Sequence, residues 1–404
     1  MNFLGQLLEN KNIILGLSGS VSIYKALEVL RLLQKLGANV RCVMSESAKE
    51  FINPLLFEAL SHFKVLDSKS QDWGQNPNNH IEICTWGDVF LLCPASANTI
   101  NKIANGIADN VLLESFLAFD KIKIITPSAN TKMLENPLTQ KSLKILDENG
   151  VKIIASQCKE LACKTIGNGG LAEPFEIVYT LLREVLKKAF FANKNVLIAG
   201  GGSKERVDSV RYISNDSSGK MAQSLALMAY FLGAKVTYLG SAFPYILPLE
   251  ITQIKVEESK DFLKEIEAWQ MDKTREDSYL FMAAAISDFI CKEPSKEKLK
   301  KESIGKEWSL HLVQNTDILK NLDKTKQKII GFKLESKNGM ESARKSLENK
   351  NLDAVCLNNI TNLHNPMNSD SNQIFWITKN AQKDLGFSDK ITLAFKILSE
   401  LENL

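Results

Sequence analysis

The hydrophobic pattern of the chain contains one arrangement twice. A short apolar run at Asn12–Leu17 ends in a small polar turn, and a helical pattern follows over residues 22–36 and ends at Gly37. A second apolar run comes directly afterwards at Asn39–Met44. A strand, a glycine-bearing turn, a helix closed by glycine and another strand are typical of a β-α-β unit.

The second copy begins about 180 residues later. An apolar run at residues 195–199 precedes three glycines, a helical pattern covers residues 219–232, and a further apolar run covers residues 235–239. Two such units predict two domains, with a boundary near residue 190. We assign residues 1–190 to the first domain and 191–404 to the second.

Further apolar runs alternate with helical patterns in both halves. They predict strands at residues 89–93, 122–126, 151–155, 279–283, 328–332, 354–357 and 373–377. This alternation favours parallel sheets covered on both faces, so the fold class is α/β with two doubly wound, Rossmann-like three-layer domains. Ligands in such sheets bind at the carboxyl ends of the strands. The basic segment 295–302 interrupts the pattern and predicts a surface helix or a flap.

Composition limits the function classes. The 404 residues carry a net charge of +3, which favours neither a nucleic-acid-binding arm nor an acidic tail. Seven cysteines without a C-x-x-C pattern indicate free thiols in a reducing compartment. The sequence shows no signal peptide and no apolar run long enough to span a bilayer, so we expect a cytoplasmic protein without a membrane or nucleic-acid partner.

Small and polar residues follow three predicted strands of the first half. They are Gly19–Ser22, the run Pro94–Thr99 and residues 127–133. Small residues at a helix start admit a phosphate, although a capping serine in a tight turn explains Gly19–Ser22 equally well. His80 precedes a short helical pattern, and Cys163 precedes a glycine-rich stretch that predicts a mobile loop. Alone, these two residues are more often structural than catalytic.

Several strings of the first half resemble the phosphopantothenoylcysteine decarboxylase family of flavoproteins. The strings are GSVSIYK, NHIEI, PASANTINKIANGIADN, PSANTKM, NPLTQ and the ACK-x-x-G-x-G loop. They occur in the family's order between residue 19 and about residue 173. The resemblance implies a flavodoxin-like domain that binds FMN and decarboxylates a terminal cysteine.

The resemblance also implies roles for individual residues. His80 corresponds to the active-site histidine, Asn130 to the asparagine that holds the substrate carboxylate, and Cys163 to the proton donor. A thiol is protonated at neutral pH and can supply a proton. The other cysteines are expected to be buried small hydrophobes. The implied FMN contacts are Gly19, Ser20, Ser22, Ser45, Pro94, Ala95, Ser96, Ala97, Asn98 and Thr99.

The second half has anion-binding features of its own. Gly200–Ser203 follows a predicted strand, and the polar loop 208–220 ends in Ser-Ser-Gly-Lys before a helix. Backbone N–H groups in such loops bind phosphate, although a capped, solvated loop also explains the last four residues. Asp288 lies among small residues after another predicted strand, and Lys298 lies in a charge run that is usually solvated.

This half resembles the phosphopantothenate–cysteine ligase family from about residue 194 onwards. The strings are AGGGSKERVDSVRYISNDSSGKM, AAAISDF, EKLKK, GFKLES, ARKSLENKNLD and NSDSN. A decarboxylase followed by a ligase resembles the fused bacterial enzymes of coenzyme A biosynthesis, which use CTP. The resemblance implies that cysteine is joined to 4′-phosphopantothenate through an acyl-cytidylate, with Mg²⁺ on the triphosphate.

In the ligase half, Asn215 is implied to stabilise the acyl-cytidylate, and Lys298 to add positive charge in the transition state. Asp288 is implied to contact the nucleotide. The full set of implied CTP contacts is Met282, Ala283, Ala284, Asp288, Lys298, Thr316, Asp317, Ile318, Leu319, Phe332 and Lys350. No metal ligand is assigned.

The chain departs from the family patterns at Ala129, Lys164 and Gly170 in the first half, and at Thr316 and Ser346 in the second. The three departures in the first half motivate a second hypothesis, a monofunctional ligase with a degenerate flavin domain. A third hypothesis is a regulatory protein that only holds FMN. The resemblance further implies a homo-oligomer with trimeric flavin domains and dimeric ligase domains, up to a dodecamer.

Overall fold

The computed structural model describes residues 2–74, 78–160, 166–272, 275, 277–300, 302, 305–335, 337–359 and 367–404. The chain divides into two compact units, Met1–Val185 and Leu186–Leu404. Within the described residues, no helix combines the length and the apolar character that a membrane crossing needs.

The first unit is built on a parallel sheet. Its strands are β1 (Asn12–Leu17), β2 (Asn39–Met44), β3 (Val89–Ala95), β4 (Ile122–Pro127), β5 (Lys152–Ile153), β6 (Gln157–Glu160) and β7 (Ile166–Gly170). Its helices are α1 (Tyr24–Lys35), α2 (Glu46–Lys49), α3 (Pro54–Ser61), α4 (His80–Trp86), α5 (Ala97–Ala104), α6 (Val111–Ala118), α7 (Thr131–Leu134), α8 (Pro137–Glu148) and α9 (Pro174–Leu186), the last of which ends just past the unit boundary.

The five-stranded sheet has the order β2-β1-β3-β4-β5. This is the flavodoxin-like order, in which the direction of winding reverses between β1 and β3. All seven residues of β3 are buried, as expected for a central strand covered on both faces. Helix α1 buries Ala26, Val29, Leu30 and Leu33, a spacing that places one apolar stripe against the sheet.

The second unit has a larger, mixed sheet. Its strands are β8 (Asn195–Gly200), β9 (Glu205–Arg206), β10 (Tyr212–Ile213), β11 (Lys235–Gly240), β12 (Thr252–Lys255), β13 (Ser278–Met282), β14 (Phe289–Cys291), β15 (Leu312–Gln314), β16 (Gln327–Glu335), β17 (Ala354–Asn359), β18 (Ser371–Ile377) and β19 (Gln382–Asp389). Its helices are α10 (Lys220–Phe231), α11 (Ser259–Met271), α12 (Ile318–Asn321), α13 (Gly339–Asn349) and α14 (Lys390–Ser399).

The eight-stranded sheet has the order β12-β11-β8-β13-β16-β17-β18-β19. The first six strands follow the Rossmann order and are parallel, so the winding reverses between β8 and β13. The predicted fold class is therefore confirmed for both units. Strand β18 is antiparallel to β17. Strand β19 is antiparallel to β18, because a short hairpin turn joins the two.

Two local predictions differ from the structure. The glycine-rich stretch predicted as a mobile loop is largely the strand β7, which pairs with β6 in an antiparallel hairpin. The sequence did not predict this strand, because strands rarely contain so many glycines. For the basic segment, the surface-helix alternative is wrong over residues 295–300, which are described and irregular, and the flap alternative stays a prediction.

Candidate functional site

The loops after β1 and β3 are tied together where the winding of the first sheet reverses. Ser18 Oγ donates a hydrogen bond to the Pro94 carbonyl at 2.8 Å and accepts one from the Ser96 amide at 2.8 Å. Ser18 is fully buried, so these bonds are shielded from water. The crevice at this switch point is the expected ligand position in such a sheet.

A cluster of serine hydroxyls lies at this edge. Ser22 Oγ donates to Ser128 Oγ at 2.8 Å, and Ser20 Oγ lies 3.0 Å from Ser22 Oγ and 3.4 Å from Ser128 Oγ. The three hydroxyls come from the loops after β1 and β4, which the fold brings together. Hydroxyls donate as well as accept, so such a cluster can bind a phosphate without a fixed positive charge.

Ser45 follows β2 and lies beside the loop that follows β1. Its amide donates to the Leu17 carbonyl, and its hydroxyl lies 3.1 Å from Ser47 Oγ. A Cβ atom at Gly19 would lie 2.7 Å from Ser47 Oγ, so only glycine lets the two loops approach this closely. The structure thus places the predicted residues Gly19, Ser20, Ser22 and Ser45 at the same edge of the sheet.

The predicted run Pro94–Thr99 connects β3 to α5. Pro94 and Ala95 end the strand, Ser96 is the N-cap residue of the helix, and the other three residues form its first turn. Ser96 Oγ accepts from the Thr99 amide at 3.3 Å and lies 2.9 Å from Thr99 Oγ1. The run therefore presents small side chains and a helix N-terminus beside the serine cluster.

His80 is the first residue of α4 and has its own set of partners. Its Nδ1 atom lies 3.5 Å from Gln71 Oε1 and 3.5 Å from Glu114 Oε2, and its ring packs edge-on against Trp73. Helices of a doubly wound sheet run antiparallel to the strands, so the start of α4 lies at the carboxyl edge. Among the described residues, however, no hydrogen bond joins His80 to Asn130 or to the serine cluster.

Asn130 and the β6–β7 hairpin border the same edge. Asn130 is the exposed N-cap residue of α7, and its side chain accepts from the Lys132 amide at 3.0 Å. The hairpin is fixed here because the Gly169 carbonyl accepts from the Ala129 amide at 3.2 Å. Cys163 and Lys164 fall outside the described residues. Ala129 packs against the core of the unit.

The described cysteines differ in their environments. Cys42, Cys84, Cys93, Cys291 and Cys356 are buried, as predicted. Burial raises the pKa of the Cys84 thiol to about 11 and that of the Cys93 thiol to about 12. Cys158 is exposed on β6, so the prediction of a buried side chain is wrong for it. An alternating strand of an exposed hairpin places one of its faces in solvent.

The second unit contains a cavity of about 690 Å³ at the carboxyl edge of its sheet. Its lining includes every predicted CTP contact except Lys298. The residues concerned are Met282, Ala283, Ala284, Asp288, Thr316, Asp317, Ile318, Leu319, Phe332 and Lys350. They come from segments far apart in sequence, after β13, after β15, on β16 and after α13, which the fold brings to one cavity.

Backbone contacts hold the loops of this cavity in place. Ser203 Oγ accepts from the Ser287 amide at 3.0 Å, and the Ala285 amide donates to the Gly201 carbonyl at 2.8 Å. These bonds join the loops after β8 and β13, the pair between which the winding reverses. The cavity therefore opens at the topological switch point of the sheet.

Asn215 lies beside the cavity. Its Nδ2 atom donates to the carbonyls of Ala285 at 3.3 Å and Ile286 at 3.1 Å, both of which line the cavity. A Cβ atom at Gly202 would lie 2.5 Å from the Asn215 carbonyl oxygen, so glycine is required for this loop to approach. The arrangement holds the Asn215 side chain by its amide nitrogen and directs it to the cavity wall.

Lys298 is exposed and does not line the cavity within the described part of the chain. Its neighbour Leu299 is fixed, because the Leu299 amide donates to Asp208 Oδ2 at 3.2 Å and Arg211 donates to the Leu299 carbonyl at 3.3 Å. Burial of Asp208 raises the pKa of its carboxyl, but three backbone amides and the Arg211 guanidinium donate hydrogen bonds to it. These donors outweigh the effect of burial and lower the pKa to about 2.

The cavity has lysines and carboxylates in its wall. Lys350 Nζ lies 3.0 Å from Asp317 Oδ2, and Lys333 Nζ lies 3.3 Å from Glu335 Oε1. The departure at Ser346 lies on α13 outside the lining, and the adjacent Lys345 pairs with Glu341 on the exposed face of that helix. Among the described residues, no group of three or more His, Cys, Asp or Glu side chains forms a metal site.

Sequence reasoning missed part of both sites. It assigned no role to Ser18, Ser47 or Ser128, whose hydroxyls complete the hydrogen bonds of the first site. Ser128 lies in the string PSANTKM, and membership of this string is the one feature of the sequence that could have identified it as a site residue. In the second unit the cavity also includes Lys390, which lies far along the chain and outside the recognised strings. Lys220, at the start of α10, lines the cavity too, and it belongs to the loop that the sequence predicts to bind an anion.

Comparisons with known proteins decide the family. The first unit matches the Flavoprotein family over residues 4–186, and the second matches the DNA/pantothenate metabolism flavoprotein C-terminal domain over residues 191–404. The chain is 32% identical over 402 residues to the coenzyme A biosynthesis bifunctional protein CoaBC of Vibrio vulnificus (strain CMCP6), covering 99% of each chain. The chain belongs to this bifunctional family.

A second relative agrees with this assignment, and one solved structure is similar to the second unit. The CoaBC protein of Bacillus subtilis (strain 168) is 32% identical over 405 residues, covering 98% of each chain. A crystal structure of the C-terminal domain of a CoaBC protein is 29% identical, with a TM-score of 0.44, and the match covers 54% of this chain and 97% of that one.

Membership of the CoaBC family makes the chain a bifunctional enzyme of coenzyme A biosynthesis, with a decarboxylase and a ligase activity in one polypeptide. The relatives match across both units, which supports the bifunctional reading and not the monofunctional alternative. The purely regulatory alternative is likewise unsupported, because both halves match domains of an enzyme.

Proposed function

We propose that the second unit joins cysteine to 4′-phosphopantothenate with CTP, and that the first unit decarboxylates the product with FMN. The observation that carries this proposal is the 690 Å³ cavity, since its lining contains the predicted nucleotide contacts other than Lys298. CTP-dependent release of pyrophosphate that also requires 4′-phosphopantothenate is the test of the ligase half. The ligase activity is assigned to residues 191–404 and the decarboxylase activity to residues 1–190.

The residues of the first site fit an FMN cofactor. The hydroxyls of Ser20, Ser22 and Ser128 form a neutral, hydrogen-bonding cluster of the kind that receives a phosphate. The small side chains after β3 leave room for a flat ring beside it. When bound, FMN would accept and return two electrons, which makes loss of CO₂ from the substrate's cysteine end possible.

The protein's own residues would position the substrate and move protons. Asn130, exposed at the start of α7, would hold the carboxylate that is lost. His80 would act as a base or orient that carboxylate, and Glu114 beside its Nδ1 atom favours a ring with a proton on this nitrogen. Cys163 would supply the final proton, because a thiol is a stronger acid than water or serine.

The ligase reaction needs an activated carboxyl group. A carboxylate does not react with an amine directly, because its leaving group would be oxide. Attack of the 4′-phosphopantothenate carboxylate on the α-phosphorus of CTP breaks the bond to pyrophosphate and forms an acyl-cytidylate. The cysteine amine then attacks the carbonyl carbon, CMP leaves with the electron pair of the broken bond, and the nitrogen loses a proton.

Specific residues of the second unit suit these steps. Asn215 would stabilise the acyl-cytidylate from its fixed position beside Ala285 and Ile286. Lys298 would add positive charge at the phosphates. Mg²⁺ would be held by the triphosphate with one or two carboxylates, which agrees with a cavity that has Asp288 and Asp317 in its wall.

The assembly and location are also proposals. Apolar side chains are exposed on the first unit at Tyr24, Leu55, Trp73 and Leu138. A contiguous patch of such residues marks a contact with another chain, whereas single exposed residues are ordinary. The proposal therefore rests on the family resemblance: a homo-oligomer with trimeric flavin domains, dimeric ligase domains and up to twelve chains, in the cytoplasm.

Replacing Ser22 with aspartate is expected to expel the flavin. A carboxylate about 4 Å from the cofactor phosphate costs about 4 kcal/mol at an effective dielectric constant of about 20, or roughly a thousandfold in affinity. The purified variant should be colourless, whereas the Ser22→Ala control should lose only about tenfold or less in affinity, the effect of one hydrogen bond. Titration with FMN, followed by fluorescence, measures both. A yellow Ser22→Asp protein with unchanged affinity would contradict the phosphate site.

A further inference from the structure

The carboxylate of Asp208 lies in the turn between β9 and β10 and is completely buried, although neither proposed reaction uses it. Its Oδ1 atom accepts from the amides of Val210 at 2.8 Å and Arg211 at 2.7 Å, and these bonds close the turn. Its Oδ2 atom accepts from Arg211 Nη1 at 2.6 Å and from the Leu299 amide at 3.2 Å. One carboxylate therefore joins the turn to a segment 91 residues further along the chain.

Two further hydrogen bonds fasten the same segment to the turn. The Arg211 guanidinium donates to the Leu299 carbonyl at 3.3 Å, and the Ser295 amide donates to the Val207 carbonyl at 3.0 Å. The segment 295–299 is therefore held at both ends, although its backbone is irregular. Lys298, the residue implied to add positive charge during ligation, lies one position before the anchored Leu299.

The turn also leads directly to Asn215. Strand β10 pairs with β9 and is followed by Asn215, whose Nδ2 atom donates to two carbonyls of the cavity wall. The two residues assigned to the ligation chemistry, Asn215 and Lys298, thus belong to one hydrogen-bonded framework with Asp208 between them. A lysine side chain is long and flexible, so the position of its backbone limits the region that its ammonium group can reach.

We propose that Asp208 is the positioning residue of Lys298, because its buried carboxylate fixes the backbone from which the lysine delivers its charge. The proposal rests on the ligase function proposed above, which assigns Lys298 to the phosphates. The hydrogen-bond donors hold the pKa of the Asp208 carboxyl at about 2 against the effect of its burial, so the group is ionised at neutral pH. An ionised acceptor forms hydrogen bonds about twice as strong as those of a neutral acceptor.

Asp208→Asn breaks this link with little change of shape. The remaining oxygen can still accept from the amides of the turn, but the new NH₂ group would face two donors, the Leu299 amide and the Arg211 guanidinium. Leu299 should therefore detach while the turn persists. We expect ligation to slow by about 10–100-fold, since a displacement of about 1 Å at a reacting group can cost about 10²-fold. Mass spectrometry of phosphopantothenoylcysteine measures the rate.

A double-mutant cycle with Lys298→Met separates positioning from a general loss of structure. If Asp208 acts through Lys298, adding Asp208→Asn to Lys298→Met should slow ligation by less than about twofold further, because changes to one functional unit are not additive. An equal fold-loss in both backgrounds would overturn the proposal. So would a wild-type rate in either folded single variant. The control is Asp384→Asn, which alters a carboxylate that accepts from the Gly386 amide at 2.7 Å and should leave the rate unchanged.

Leu299→Pro tests the same bond from its other side, and it decides the question if Asp208→Asn does not fold. Proline has no amide hydrogen, so this variant loses the bond to Asp208 within a segment that is neither helix nor strand. Leu299→Ala keeps the amide and is the matched control. Slower ligation by Leu299→Pro than by Leu299→Ala supports the proposal, whereas equal rates overturn it.

Trypsin provides a measurement that does not depend on ligation. Cleavage after Lys298 should be about tenfold faster in Asp208→Asn than in the wild type, the effect of losing a hydrogen bond to a charged group. Asp384→Asn should be cleaved like the wild type, and equal cleavage of Asp208→Asn would overturn the proposal. A wild type that forms no amide would refute the ligase function, whereas faster cleavage of Asp208→Asn would still show that Asp208 anchors the segment.

Discussion

Asn215→Asp is expected to lower the rate of amide formation by about 10²–10³-fold, the usual effect of losing a donor that stabilises a reacting group. The wild-type amide donates to the carbonyls of Ala285 and Ile286. A carboxylate cannot donate there and is repelled by both carbonyl oxygens, so the side chain must turn away. It also brings negative charge towards the phosphates of the acyl-cytidylate.

Mass spectrometry of phosphopantothenoylcysteine formed from 4′-phosphopantothenate, cysteine, CTP and Mg²⁺ measures this effect. The matched control is Asn380→Asp, an identical change in an exposed turn of the same unit. Both variants should retain the melting temperature of the wild type within a few degrees, about the shift of a surface substitution. Amide formation at the wild-type rate by Asn215→Asp would remove Asn215 from the mechanism.

Cys163→Ser is expected to release CO₂ from phosphopantothenoylcysteine without forming the normal aminothiol. A serine hydroxyl is a much weaker acid than a thiol, so the last protonation should fail after the carboxyl group is lost. The product should be lighter than 4′-phosphopantetheine by two hydrogen atoms. The two missing electrons should remain on the flavin, whose visible absorption should stay bleached.

Cys158→Ser is the control for this change. Cys158 is exposed on β6 of the hairpin that adjoins the segment containing Cys163, and it has no assigned role. The Cys158→Ser variant should produce the normal aminothiol at the wild-type rate. Mass spectrometry of the organic product and the visible spectrum distinguish the two variants. Normal aminothiol from Cys163→Ser would show that another group donates the proton.

The parallel sheets could be predicted because their strands are buried on both faces. The apolar runs at Asn12–Leu17 and Asn39–Met44 are strands with the predicted bounds, and the helix between them has a clear apolar stripe. The small hairpins could not be predicted in this way. Strand β7 is rich in glycine, and β9 and β10 contain two residues each, too few for a period to be recognised.

The site residues that could be predicted lie in contiguous strings at strand ends. Pro94–Thr99 is an example, because small or polar residues after an apolar strand indicate a loop at the ligand edge. Asn215 was singled out only through the string that resembles the ligase family. Ser128 and Lys390 were missed for a physical reason. Their relevance depends on contacts with residues far away in sequence, Ser22 in one case and the loop before β18 in the other, and no local pattern encodes such contacts.

The central claim is that one chain carries out both reactions, and product analysis of the purified wild-type protein tests it most directly. The protein would be incubated with 4′-phosphopantothenate, cysteine, CTP and Mg²⁺, its visible spectrum recorded, and its products identified by mass spectrometry. The account predicts a yellow flavin spectrum and formation of 4′-phosphopantetheine, CMP, pyrophosphate and CO₂. Accumulation of phosphopantothenoylcysteine without CO₂ release would contradict it, because the first unit would then lack decarboxylase activity.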